Sequence, residues 1–204
     1  LFIRETTNVN DYTFRFSRRA EAEGLVVIDD STSILRCSNK VYLAELMQHH
    51  EVRTPRTMIV HKDNARDAAS RLGLPCVLKQ PDSSFSKGVV KVDDEEALNR
   101  ETERLLRVSD LMVAQEFIRT SFDWRIGIID RKPLYACKYF MARRHWQIIA
   151  HKGNGLTEEG RVEAVPLDDV PPGVLKAALR AANPIGRGFY GVDVKETERG
   201  IMVI

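Results

Sequence analysis

A polar loop between two apolar segments is the first part of the sequence that could bind phosphate. The stretch from Lys79 to Gly88 contains three serines, two lysines and a terminal glycine. Backbone N–H groups and serine hydroxyls bind phosphate oxygens, and a lysine at the base of such a loop adds a positive charge. The glycine-lysine pattern of a Walker A loop is absent. An ordinary solvated hairpin loop explains the same composition, so this segment alone leaves both interpretations open.

A carboxylate at the end of an apolar segment is the second candidate. The run Gln115-Glu116-Phe117-Ile118 closes a predicted strand. Glu116 could accept hydrogen bonds from ribose hydroxyls, while the backbone of the next residues reads the edge of an adenine ring. An edge strand with one exposed acid is the alternative interpretation.

Two pairs of opposite charges follow strand periodicity. Asp123 and Arg125 are two residues apart, as are Asp193 and Lys195, so each pair shares one face of a predicted strand. An acid on an otherwise buried strand costs free energy unless it is ion-paired or bound to a metal. Asp193 is therefore a candidate functional acid, and a salt bridge to Lys195 or Arg125 is the simpler explanation.

A basic segment lies in the second half of the chain. Residues 131–157 contain six Lys or Arg, two His and no acid. Such a segment suits phosphates or an acidic substrate. Aromatic residues interleave with these charges, so an RNA-binding surface or a solvated strand face remains an alternative.

The apolar pattern indicates which elements position these residues. Residues 57–118 predict a β-α-β-β-α-β unit of an α+β fold. The flanking pattern predicts further helices over 11–23, 40–50 and 171–183, a buried strand over 25–28 and a turn over 29–33. It also predicts three successive antiparallel strands, over 124–129, 133–141 and 146–151, and a final hairpin formed by 189–195 and 201–204.

Length and composition exclude several classes of protein. The 204 residues are 43% hydrophobic and 29% charged with a net charge of +2, which is typical of a folded globular protein and not of a polyanion-binding tail. Three isolated cysteines indicate neither a disulfide scaffold nor a zinc knuckle, so we expect a reducing, cytoplasmic location. The first residue, Leu1, and the strand pattern running up to Ile204 predict an internal fragment of a longer protein.

Taken in order, short motifs over about residues 25–204 resemble the ATP-grasp fold, and within it the RimK-type glutamate ligases. They are Asn39-Lys40, residues 53–57, Val77-Leu78-Lys79-Gln80-Pro81 with the loop to Gly88, Gln115-Glu116-Phe117-Ile118, Asp123-Trp124-Arg125, Ala136-Cys137-Lys138 and Gly191-Val192-Asp193-Val194. The resemblance implies an α+β fold in which two α/β subdomains with antiparallel sheets grip ATP. Residues 1–38 would be the tail of a preceding α/β domain, 39–118 the N-terminal subdomain, and 119–204 a C-terminal subdomain truncated at its end.

The resemblance also implies roles for individual residues in binding ATP and Mg²⁺ or Mn²⁺. Lys40 and Lys79 would hold phosphates, and Asp193 would bind the metal ion. Arg125 and Lys138 would face the transferred phosphoryl group and the carboxylate substrate. The remaining nucleotide contacts would be the loop residues Ser83, Ser84, Ser86 and Gly88, the run Gln115, Glu116, Phe117 and Ile118 around the ribose and adenine, and Asp123.

The activity implied is that of an ATP-dependent carboxylate–amine ligase, which makes an amide bond through an acylphosphate. RimK-like addition of an amino acid such as glutamate to a peptide, protein or small molecule is the first expectation. A glutathione- or dipeptide-type ligase and a non-catalytic nucleotide- or RNA-binding module are the alternatives. The stretch 147–153 departs from the Arg-Ser-Asn and His-Arg-Gly-Gly sequences frequent in RimK-type enzymes.

The expected partners are ATP, a carboxylate substrate and an amine acceptor. Neither a membrane nor a nucleic acid is expected, and a homo-oligomer is compatible with the sequence. The family places a second metal-binding carboxylate and an Asn in a Glu-x-Asn run after the last strand, beyond Ile204. We therefore expect the fragment alone to be inactive.

Overall fold

The N-terminal segment folds as two helices beside the rest of the chain. The computed structural model describes residues 1–82, 88–143, 145–151 and 157–204. Helix α1 (Tyr12–Ala22) begins after Asp11, whose carboxylate accepts a hydrogen bond from the Thr13 N–H, and this confirms the predicted helix. Helix α2 (Ser31–Ser38) follows, with Asp30 accepting from the Ser33 N–H at 2.9 Å.

Two predictions for this segment are wrong. Residues 29–33 do not form only a turn, because α2 begins there. The expected buried strand over 25–28 is absent: Leu25 and Val26 are 55% and 83% exposed, and the structure shows one isolated bridge, between Phe2 and Ile28. A β-branched run forms a buried strand only where neighbouring strands cover it, and the described residues around it provide none.

Helix α3 (Lys40–His49), whose Met47 packs in the core of the second subdomain, precedes the first subdomain, which is a four-stranded antiparallel sheet with two helices. Its strands are β1 (Thr57–Val60), β2 (Cys76–Lys79), β3 (Val89–Val92) and β4 (Met112–Glu116), in the order β1-β4-β2-β3. Helices α4 (Ala68–Leu72) and α5 (Glu95–Leu106) lie between β1 and β2 and between β3 and β4, so the predicted β-α-β-β-α-β order is confirmed. Helix α4 begins only at Ala68, because Asn64 first closes a turn by accepting from the His61 N–H and donating to the Ile59 carbonyl.

The second subdomain is built on a five-stranded antiparallel sheet. Strands β5 (Phe122–Ile129) and β6 (Lys132–Phe140) form a hairpin, and a small ribbon of β7 (Ile149–His151) and β8 (Thr157–Glu159) follows. Strand β9 (Val162–Val165), helix α6 (Pro172–Ala182) and the hairpin of β10 (Phe189–Thr197) and β11 (Gly200–Val203) complete it, in the order β11-β10-β5-β6-β9.

The neighbour of β6 was predicted wrongly. The strand expected over 146–151 does not extend the sheet, because β7 pairs with β8 and the unpredicted β9 pairs with β6. Apolar alternation indicates that a segment is extended, whereas the choice of partner depends on how the chain returns to the sheet. Among the described residues, none of the helices has the length and apolar character required to span a membrane.

Strand alternation gives each sheet one apolar and one polar face. In the second sheet, Trp124, Ile126, Val192 and Val194 join the core beside α6, so their neighbours in β5 and β10 lie on the opposite face. In the first sheet, Leu78 and Ala114 lie in the helix-covered core, whereas Lys79 and Gln115 do not. Lys79 and Gln115 of the first sheet and Asp193 of the second line one cleft of about 890 Å³, together with residues of α2, α3 and the segment that leads into β1.

Candidate functional site

Lys79 is the most strongly perturbed cation of the cleft. It ends β2, and its Nζ donates a hydrogen bond of 2.7 Å to Gln115 Oε1. Gln115 Nε2 in turn donates to Thr57 Oγ1 at 2.8 Å. The Gln115 side-chain amide is thus oriented by Lys79 at its oxygen and by Thr57 at its nitrogen. Burial, followed by the positive charges of Lys40 and Lys195, lowers the pKa of Lys79 to about 8, and Asp193 opposes this. A bound anion would relieve this repulsion, so the site is suited to a phosphate.

Lys40 reaches the cleft from the start of α3. The Lys40 backbone N–H donates to the Pro81 carbonyl at 2.9 Å, and Asn39 Nδ2 donates to Asp82 Oδ1 at 2.9 Å. These bonds attach the beginning of the polar loop to the N-terminus of α3. Burial lowers the pKa of Lys40, and the charge of Asp82 opposes the shift. Helix α3 and strand β2 therefore bring Lys40 and Lys79, predicted from distant motifs, to one cleft.

Only the last of the predicted loop residues can be assessed. Gly88 has a φ of +67°, which favours glycine, and its carbonyl accepts a hydrogen bond from the Gln80 N–H at 2.9 Å. Ser83, Ser84 and Ser86 lie outside the described residues.

A buried ion pair on the second sheet supplies the third lysine. Lys195 Nζ donates to Asp123 Oδ1 and to Thr120 Oγ1, each at 2.7 Å, and the side chains of Lys195 and Asp123 are 11% and 5% exposed. Asp123, which was predicted to contact the nucleotide, thus uses one carboxylate oxygen to hold Lys195. Lys195 was not among the predicted site residues, although its spacing from Asp193 already indicated a shared strand face.

Arg125 and Asp193 form a two-point salt bridge on the same face. Arg125 Nε and Nη2 donate to the two carboxylate oxygens of Asp193 at 2.5 and 2.8 Å. The guanidinium lies 5.1 Å from the centre of the Tyr139 ring and over Gly191, where an added Cβ would lie 3.1 Å from the Arg125 side chain. Burial raises the pKa of Asp193, and Arg125 opposes this effect.

The described residues do not form a metal site by themselves. Both oxygens of Asp193 accept hydrogen bonds from Arg125. In the part of the chain that the structure describes, no group of three or more His, Cys, Asp or Glu residues could hold a metal ion. Asp193 as a ligand of Mg²⁺ or Mn²⁺ therefore stays a prediction.

The structure does not bring Lys138 to Arg125. Lys138 pairs in register with Trp124, and its Nζ lies 5.1 Å from the centres of both the Phe122 and Trp124 rings. Trp124 belongs to the core face of the sheet, whereas Arg125, the next residue along β5, lies on the cleft face. The two residues predicted to act together are thus on opposite faces of one sheet.

Glu116 is ion-paired away from the lysines. It shares the face of β4 with Met112 and Ala114, and its carboxylate accepts hydrogen bonds from Arg56 and Arg199. Of the residues predicted to surround adenine, Ile118 is buried and Phe117 makes an edge contact with Trp146, with ring centres 5.8 Å apart. Arg56 and Arg199 were not among the predicted site residues, since no spacing pattern links either residue to Glu116.

Comparison with known proteins assigns the family. A sequence model of the RimK-like ATP-grasp domain matches residues 37–204, which is most of the chain. The chain belongs to this family. The resemblance inferred from seven short motifs is thereby confirmed.

Two relatives illustrate the range of the RimK-like family. The chain is 30% identical over 185 residues to α-aminoadipate–LysW ligase LysX of Sulfolobus acidocaldarius, covering 87% of this chain and 63% of that protein. It is 26% identical over 201 residues to a probable α-L-glutamate ligase of Aliivibrio fischeri, covering 97% and 64%. The chain thus spans less than two thirds of the length of these relatives.

The fold is also that of solved ATP-grasp ligases. The crystal structure of D-alanine–D-alanine ligase from Bacillus anthracis complexed with ATP superposes with a TM-score of 0.71 at 19% identity, over 95% of this chain and 64% of that chain. At this level of identity the similarity shows the fold alone. The expected α+β fold with two antiparallel sheets is therefore confirmed.

Proposed function

We propose that this RimK-like chain binds ATP in the cleft between its two sheets and is part of an ATP-dependent carboxylate–amine ligase. A carboxylate oxygen attacks the γ-phosphorus of ATP, ADP leaves, and an acylphosphate forms. An amine nitrogen then attacks the acyl carbon, phosphate leaves, and the amine gives up a proton to form the amide. The relatives named as ligases support this assignment.

The observation that carries the proposal is that Lys79 lines the cleft together with Lys40 and feels the positive charges of both Lys40 and Lys195. Burial, followed by repulsion from Lys40 on α3 and Lys195 on the second sheet, lowers the pKa of Lys79. A fold gains no stability from such an arrangement, whereas a polyphosphate would neutralise it. Preorganised charge of this kind stabilises charge that develops during phosphoryl transfer.

We further propose that the carboxylate substrate is an amino acid or a peptide. Arg125 lies on the cleft face of β5, where it could bind an anionic substrate after leaving Asp193. The two relatives are named for α-aminoadipate and glutamate, which are both acidic amino acids. RimK-like glutamate addition is therefore the first substrate to test, with α-aminoadipate as the second.

The proposed reaction is tested by trapping the acylphosphate. Because this chain spans less than two thirds of the relatives' length and is expected to be inactive alone, the full-length protein is incubated with ATP, Mg²⁺ or Mn²⁺, one candidate carboxylate and hydroxylamine. Hydroxylamine replaces the amine and converts an acylphosphate into a hydroxamate. We expect hydroxamate and ADP in equal amounts, and neither product from Lys79→Met. The matched control is Lys62→Met, which changes an exposed lysine of the same subdomain. ADP formed by Lys79→Met at the rate of the unchanged protein would contradict the proposal.

A non-catalytic nucleotide-binding module is the second candidate. It is favoured by the Arg125–Asp193 salt bridge, which uses both carboxylate oxygens. Binding of ATP without ADP or hydroxamate, across peptides and acidic amino acids, would support this candidate over the ligase.

A further inference from the structure

Glu116 connects the two subdomains through arginines on both sides. Its side chain is 9% exposed at the end of β4. On the side of the first subdomain, Arg56 Nε donates to Glu116 Oε2 at 3.1 Å. On the side of the second subdomain, Arg199 Nη1 and Nη2 donate to the two oxygens at 2.5 and 3.3 Å.

Arg56 is held rigidly by helix α4. Its Nη1 donates to the Arg71 carbonyl at 3.1 Å and its Nη2 to the Leu72 carbonyl at 2.8 Å. An arginine that binds the last carbonyls of a helix caps its C-terminus. The guanidinium is therefore bonded on each of its nitrogens, and it presents a fixed donor to Glu116.

Arg199 belongs to the turn between β10 and β11. Its carbonyl accepts a hydrogen bond from Arg53, and the Arg53 carbonyl accepts from the Val203 N–H at 2.8 Å. Gly200, next to Arg199, has a φ of +107°, and an added Cβ there would lie 2.5 Å from Arg53 Nη1. The turn is thus attached to the segment that leads into β1.

The attached hairpin carries part of the cleft. Asp193 and Lys195 lie on β10, whereas Lys79 and Gln115 lie on β2 and β4. Gln115, which accepts the hydrogen bond from Lys79, directly precedes Glu116, which accepts those from Arg199. Any movement of the turn relative to β4 changes the distance between the two groups of charges.

From these contacts we infer that Glu116 is a positioning residue. Through Arg56 and Arg199 it sets the separation of the two sheets, and thereby of Lys79 and Lys195, and it does not contact the nucleotide. This inference rests on the proposed function, and it replaces the ribose-binding role expected from the sequence. A carboxylate with arginine donors on both oxygens is already satisfied without a ribose.

Two measurements on the 204-residue chain test the inference. One is the affinity for ATP, determined by calorimetry. The other is the amide exchange of the Val203 N–H in the absence of nucleotide, because its hydrogen bond to the Arg53 carbonyl attaches β11, next to the Arg199 turn, to the segment that leads into β1. The variants are Arg199→Ala, Arg199→Lys and Glu116→Gln. The control is Arg187→Ala, which removes an exposed arginine that is paired with Asp130 within the second subdomain.

We expect Arg199→Ala and Glu116→Gln to weaken ATP binding about tenfold. Both should accelerate exchange at Val203 while exchange within the β5–β6 hairpin stays unchanged. Arg199→Lys should restore part of both effects, since it keeps the charge but loses the two-point geometry. Arg187→Ala should change neither measurement.

The alternatives give different results. If Arg199→Ala matches Arg187→Ala in both measurements, the inference is overturned. Weaker ATP binding with unchanged Val203 exchange would also overturn it, because Glu116 or Arg199 would then contact the nucleotide. If the unchanged protein binds no ATP, the proposed function fails, while the exchange of Val203 still decides whether Glu116 holds the sheets together.

Discussion

Replacing Lys79 by methionine should stabilise the protein while it removes nucleotide binding. Burial and the neighbouring lysines lower the pKa of Lys79 from 10.5 to about 8, and at about 1.4 kcal/mol per tenfold change this corresponds to roughly 3 kcal/mol. Methionine has a similar shape and no charge. It forfeits the hydrogen bond to Gln115, worth about 1 kcal/mol. The net expected gain in the free energy of unfolding at pH 7 is about 2 kcal/mol.

The stability difference between Lys79→Met and the unchanged protein depends on pH between about 8 and 10.5. Because the folded-state pKa is depressed, the folded protein binds fewer protons than the unfolded chain between about pH 8 and 10.5. The free energy of unfolding of the unchanged protein should therefore rise, relative to Lys79→Met, as the pH increases through this window. The advantage of the variant is fully present below about pH 8 and absent above 10.5.

The assay combines urea unfolding at several pH values with ATP binding at pH 7. Loss of the charge-assisted contact should cost about 1.5–3 kcal/mol of binding, or roughly 10- to 100-fold in affinity. Lys62→Met should change the free energy of unfolding by less than about 0.5 kcal/mol and leave ATP binding unchanged. A destabilised Lys79→Met that still binds ATP would refute the reasoning, because Lys79 would then be a structural lysine.

Three further predictions concern Lys79, the ion pairs of Glu116 and the buried pair of Asp123 with Lys195. ATP affinity should decrease as the pH rises through about 8, because Lys79 loses its proton. Calorimetry in buffers of different ionisation enthalpy should detect proton uptake on binding. An ATP affinity that does not change with pH would contradict this prediction. The hydrogen bond from Arg199, followed by those from Arg56, lowers the pKa of Glu116 from 4.5 to about 2. Up to about 3 kcal/mol of the free energy of unfolding should therefore be lost as the pH falls from above 4.5 to below 2. In urea titrations, Glu116→Gln should lack this pH-dependent loss of stability. Asp123→Asn should destabilise the protein by about 3–5 kcal/mol, because it leaves Lys195 charged and buried without its carboxylate partner. In thermal unfolding, the double variant Asp123→Asn with Lys195→Met should recover much of this lost stability.

Local patterns in the sequence were sufficient to predict most elements. Asn39 and Asp94 cap α3 and α5, and such caps can be read from local sequence because a capping side chain acts on the next two or three residues and needs no tertiary partner. Strand alternation correctly placed Asp193 and Lys195 on one face. The order of seven short motifs was enough to indicate the ATP-grasp family, because order and spacing together are more specific than any single motif.

Pairings between distant segments were decided only by the tertiary structure. Alternation puts Lys138 on one of two faces of β6, but only the register with Trp124 shows that this face is the one away from Arg125. Burial alone could not show whether Asp193 pairs with Lys195 or Arg125. Glu116 meets Arg199, 83 residues away, because the β10–β11 turn returns to the first sheet. Side-chain type and local periodicity thus determined which residues could carry charge into the cleft, whereas their partners depended on long-range contacts that no local pattern encodes.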